Sequence, residues 1–103
     1  MDFKPTIFAV EVNGQEFKFA AMTQRDMERL IERENAAKDD PVALKRLNVE
    51  TLVNAMLKAG VQTTIEEVAE GMPLPVFKSL FSAFLVAQGV KLEAKSTGEV
   101  SLS

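Results

Sequence analysis

Residues 75–89 read PVFKSLFSAFLVAQG, and the fold turns on how this stretch is read. Pro75 suits the first helical position, and Gly89 stands just past the last, so the two residues mark a helix start and a helix stop. At 3.6 residues per turn, Val76, Phe77, Leu80, Phe81, Ala83, Phe84, Leu85 and Ala87 share one broad face. That face covers roughly 200° of the helix, against about 100° for an ordinary surface helix. Lys78, Ser79 and Ser82 mark the polar strip. A helix this apolar must be wrapped by the other elements of the chain, or by a partner.

The nearest upstream segment is built to deliver the chain to it. Thr64-Ile65-Glu66-Glu67 is a capping box of the T-x-x-E type. Ile65, Val68, Ala69 and Met72 follow at i, i+3, i+4, i+7, which predicts a short amphipathic helix closed by Gly71. Met72-Pro73-Leu74-Pro75 then reads as a rigid extended connector, because each proline pushes its predecessor out of helical geometry. Further back, Asp40-Pro41 supplies an N-cap and a proline at the first helical position. On that helix Val42, Val49, Leu52, Val53, Met56 and Leu57 line up, while Leu44 and Leu47 fall on the opposite side. Either one helix buries two faces, or the chain breaks near Asn48, which could cap a fresh helix ending at Gly60. The split pattern favours a break or kink.

Thr23-Gln24-Arg25-Asp26 approximates a capping box, with aspartate where glutamate is usual. Met27, Leu30 and Ile31 give this helix a narrow apolar stripe, and Arg25, Glu28, Arg29, Glu32 and Arg33 give it a charged face suited to solvent and ion pairs. Before it, Ile7–Val12 and Gln15–Ala21 flank Asn13-Gly14, the strongest short-range hairpin signal. A two-residue turn places Val10 opposite Phe17 and Phe8 opposite Phe19, on one oily face with Val12. It also sets Glu11 against Glu16, a like-charge pair that diagonal Lys18 relieves in part. Phe3 could dock on the core from the lead-in. After Gly89 the tail alternates at Val90, Leu92 and Ala94, which suits one edge strand, and then turns polar.

These signals predict an α+β domain: an N-terminal β-hairpin (7–21) packed on a small bundle of four or five helices, near 23–38, 41–59, 64–70 and 75–88. The domain is expected to span 1–94, with 95–103 a disordered tail.

Composition narrows the chemistry. The chain of 103 residues is 47% hydrophobic and 26% charged, the balance of an ordinary folded domain. A net charge of −3, with lysines and arginines interleaved among acids, gives no basic stripe for nucleic acid or an anionic membrane. No apolar run is long enough to span a bilayer, and no secretion signal opens the sequence, so the cytoplasm is the expected compartment. Cysteine and histidine are both absent, which removes disulfides, thiolate nucleophiles, histidine triads and zinc sites built on sulfur or imidazole.

The adjacent carboxylates Asp39-Asp40 and Glu66-Glu67 already serve as helix-start chemistry, and neighbours on a helix do not converge on one metal. The expectation is therefore no catalytic residue, no metal and no cofactor. Phe77, Phe81 and Phe84, with Leu85 at the edge of the arc, are the candidate partner-binding residues. A phenylalanine stripe is more often core, yet the hairpin adds Phe8, Phe17 and Phe19, and a domain this small has little interior. A wholly internal core and a partly exposed patch for a partner, or for a second copy of the chain, both fit the pattern.

Taken together, VEVNGQEFKF at 10–19, TQRDMERLIERE at 23–34 and TIEEVAEGMPLPVFKSLFSAFL at 64–85 resemble the tail assembly chaperones of long-tailed bacteriophages and prophages. The resemblance lies in arrangement and covers roughly residues 7–89. It implies a non-enzymatic protein of the bacterial host's cytoplasm that binds the tape measure protein and assists the tail tube protein to polymerise around it. Members are often made in two forms by ribosomal frameshifting near the C-terminus, and the polar tail from Lys95 suits such a junction. The family is not recognised by fixed residues, so no role passes to a numbered position here. A structural tail or neck component retained in the virion is the alternative, which a hairpin and low charge also suit. An enzyme working through carboxylates has no convergent site in its favour, and a DNA-binding regulator runs against the acidic balance.

Overall fold

Asn13 and Gly14 both take positive φ, 53° and 79°, as a type I′ turn requires. The turn fixes the register of β1 (Ile7–Val12) against β2 (Gln15–Ala20) in the computed structural model, which describes residues 4–89. Phe8 pairs with Phe19, Val10 with Phe17 and Glu11 with Glu16, as the two-residue turn predicts. The ladder continues one step beyond the strands, where the Ala21 N–H donates to the Thr6 carbonyl at 2.8 Å. Phe3, the alternation at Val90, Leu92 and Ala94, and the tail 95–103 lie outside the described residues.

Helix α1 (Gln24–Ala36) opens on a complete capping box: the Asp26 N–H donates to Thr23 Oγ1, and the Thr23 N–H donates to Asp26 Oδ2, both at 3.1 Å. Aspartate therefore does the work of the usual glutamate. In α3 (Ile65–Gly71) only half of the expected box is made. The Glu67 N–H donates to Thr64 Oγ1, but the Glu67 carboxylate turns to accept the hydroxyl of Thr63 instead. Gly71 belongs to the last turn of α3 rather than standing beyond it. Helix α4 (Leu74–Ala87) begins one residue before Pro75, on Pro73 as N-cap. Its C-terminus ends as predicted, with Gly89 at φ 89°.

The favoured break near Asn48 does not occur, so the bundle holds four helices among the described residues. Helix α2 (Pro41–Lys58) runs unbroken for 18 residues, capped by Asp40 Oδ1 accepting from the Ala43 N–H. Its two apolar sides are both covered. Leu47 is buried in the region it shares with Leu30 of α1, while Leu52 and Met56 are buried in the core formed with the hairpin and α4. Breaking the helix would strip backbone hydrogen bonds from a segment already wrapped on both sides. Val42 and Leu57, on the line expected to face inward, remain exposed near the helix ends.

This makes α2, not α4, the element that the others surround. It meets β2, α1, α3 and α4, whereas α4 packs chiefly on β1 and α2. The core joins Phe17 and Phe19 of the hairpin to Leu52, Ala55 and Met56 of α2 and Leu80 and Phe84 of α4. No polar or charged residue is buried among the described residues. The end of α4 is tied back to the hairpin by the Met22 N–H, which donates to Gln88 Oε1 at 2.7 Å.

Candidate functional site

The wide apolar arc of α4 divides into two sides when the neighbours are in place. Leu80 and Phe84 have no exposure and belong to the core. Phe77, Phe81 and Leu85, at i, i+4 and i+8, are half-buried on the flank of that core. Of the four candidate residues, Phe84 thus offers no surface in the free chain, and the other three form a stripe that does. Leu74 and Val86, exposed at the two ends of α4, extend its apolar character beyond the stripe.

The aromatic rings are connected. Phe77 and Phe81 stack with centroids 5.6 Å apart and planes 14° from parallel. Phe81 stacks in turn on Phe84 at 5.7 Å, and Phe84 meets Phe19 edge-on at 5.2 Å. The series ends at Phe8 of β1, 5.9 Å from Phe19. A contact at the Phe77 end therefore rests on rings anchored in the core, so the exposed surface is held in place by packing.

Sequence reasoning put Phe8 on the hairpin's oily face with Phe17 and Phe19 but did not set β1 beside α4. Helix α4 packs against β1, and Phe8, Val10 and Val12 are half-buried against the core that α4 also closes. The alternation of β1 was the available signal. What it lacked was position: the three-dimensional arrangement sets β1 against α4, in a sheet that has two strands among the described residues.

Charge lies elsewhere. Asp26 joins α1 to α2 through Lys58 Nζ at 2.9 Å, and Arg33 joins them again through Glu50 at 2.7 Å. The N–H of Thr23 holds the Asp26 carboxyl below its ordinary range; burial opposes this, and the Lys58 ammonium and Thr23 hydroxyl add to the lowering. These contacts join two helices and the start of one of them, a structural task. Among the described residues, no group of three or more carboxylates converges as a metal ion would need. Nor is any described helix long and apolar enough to cross a membrane.

Compared with known protein families, with curated proteins and with solved structures, the chain matches none.

Proposed function

We propose that this protein is a tail assembly chaperone of a long-tailed phage or prophage, which holds an apolar helical segment of the tape measure protein against Phe77, Phe81 and Leu85. The observation that carries the reading is the Phe77–Phe81 stack, half-buried and open on one side, on a domain whose core is already closed by Phe19, Leu52, Leu80 and Phe84. Large apolar side chains left at a surface and held rigid from behind are the usual anchors of protein interfaces. A helix laid beside α4 would cover the stripe with residues at its own i, i+4 and i+7 positions. The proposed activity is reversible covering of apolar surface before assembly, and it needs no reacting group.

The test is co-expression with the tape measure protein of the same gene cluster. Wild-type protein should co-purify with it and keep it in the supernatant. Phe77→Ser and Phe81→Ser should each lose the partner while remaining folded, Phe81→Ser at the larger cost in melting temperature because that ring also stacks on Phe84. Retained binding in both folded variants would overturn the assignment of this face. Recovery of the protein in stoichiometric amounts from purified virions would instead favour a structural tail or neck component.

A further inference from the structure

We propose that the cleft between β2 and α3 is a second docking site, taking an extended protein segment in which apolar residues alternate with lysine or arginine. The inference begins with the strand edge. In an antiparallel ladder alternate residues turn their peptide groups toward the partner strand and away from it. The Ala21–Thr6 hydrogen bond and the register place Gln15, Phe17 and Phe19 in the set bonded to β1. The peptide groups of Glu16 and Lys18 therefore point away from β1, into the cleft that both residues line. No hydrogen bond from the described residues reaches them. That is the donor and acceptor pattern that an added strand reads.

The floor and far wall suit the same occupant. Phe17, Met56, Val61, Val68, Met72 and Val76 line the cleft with apolar surface, and two of them are methionines, which adapt to differing side chains. A strand added along Glu16–Lys18 would direct alternate side chains toward this floor and the intervening ones to solvent. The charges around it are mainly acidic. Glu16 and Glu67 line the cleft against Lys18 alone, and α3 carries Glu66 and Glu70 as well, with no basic residue. An enclosed small-molecule site would lack any use for the open strand edge. An apolar strand flanked by acids selects instead for a segment whose solvent-facing positions are basic.

The experiment uses the isolated full chain and two synthetic peptides, KVKLKVK and EVELEVE, followed by backbone NMR and amide exchange. It is independent of whether a tape measure helix occupies the α4 face. The lysine peptide should bind saturably, shift Glu16, Phe17, Lys18 and Met72, and slow amide exchange at Glu16 and Lys18 by about tenfold at saturation. Added salt should weaken it, and the glutamate peptide should bind at least about tenfold less tightly. The doubly reversed variant Glu16→Lys with Glu67→Lys, which changes both acids that line the cleft, should exchange the two preferences while remaining folded. No binding, equal affinity for the two peptides, or shifts centred on Phe77 and Phe81 would each overturn the proposal.

Discussion

Phe84 meets Phe19 edge-on with ring centroids 5.2 Å apart, and neither ring has any exposure. One ring comes from the last described helix and the other from the second strand, so this contact ties the end of the described chain back to the hairpin. Edge-to-face pairs contribute about 0.5–1.5 kcal/mol beyond the area they bury. A double-mutant cycle of Phe19→Leu and Phe84→Leu, scored by denaturant unfolding, should return a coupling of that size. Strictly additive losses would mean that each ring acts only through its volume.

The turn gives a prediction of a different kind. Gly14 sits at φ 79° with nothing within 4 Å of the position a Cβ would take, so there is space for a side chain but not the right backbone. Gly14→Val should cost about 1–2 kcal/mol, because a β-branched residue resists the left-handed region. Gly14→Asn should cost much less, since asparagine tolerates that region. Equal melting temperatures for the two variants would contradict the backbone explanation.

Asp26 predicts an acid-sensitive part of the stability. The same oxygen, Oδ2, accepts from the Thr23 N–H and from Lys58 Nζ. Both contacts favour the carboxylate, and its pKa in the folded protein lies below the ordinary 3.8. A depressed folded pKa means that the contribution is fully present above the unfolded value and is lost as pH falls through the folded one. The stability difference between wild type and Asp26→Asn should therefore be constant near neutrality and shrink below about pH 4. Urea unfolding of both proteins from pH 7 down to acid checks this; parallel curves throughout would exclude a role for the charge.

The hairpin was legible because its information is local. Two turn residues set the register, and the register set every cross-strand pair. The capping signals at Thr23, Asp40 and Thr64 and the stop at Gly89 are local too, and each start or stop falls within a residue or two of its expected place. The course of α2 was not legible, since Leu47 on one side and Leu52 and Met56 on the other look like a broken pattern until α1 is present to cover Leu47. For the same reason α4 was read as the centre. Its breadth of apolar surface is real, but α2 takes the central place by being buried on two sides. The candidate stripe was half legible: periodicity grouped Phe77, Phe81, Phe84 and Leu85, and only packing separates buried Phe84 from the rest.

Asn48 now tests the continuity of α2. As the N-cap of a second helix, its loss to alanine would cost about 1 kcal/mol. In the interior of one helix, half-buried and with no side-chain hydrogen bond among those seen, it is simply a poor helix former. Asn48→Ala should then be neutral or stabilise the protein by about 0.5 kcal/mol. A clear loss in thermal or urea unfolding would restore the break.

The sharpest forecast separates the residues of α4. Phe84→Ala removes a fully buried ring from contact with Phe19 and Phe81, and should cost about 3–5 kcal/mol, enough to unfold a domain of this size. Phe77 stands at the outer end of the ring series, half-buried and stacked on Phe81, so Phe77→Ala removes one stacking contact and part of one buried surface. Its cost should be nearer 1 kcal/mol, and the variant should stay folded. Phe81→Ala should fall between, because that ring touches both Phe77 and Phe84. The order Phe84, Phe81, Phe77 in lost stability, measured by urea unfolding, should run opposite to the order in lost partner binding per unit of stability lost. If Phe77→Ala instead unfolds the protein as Phe84→Ala does, the stripe belongs to the core and the docking face must be sought along β1.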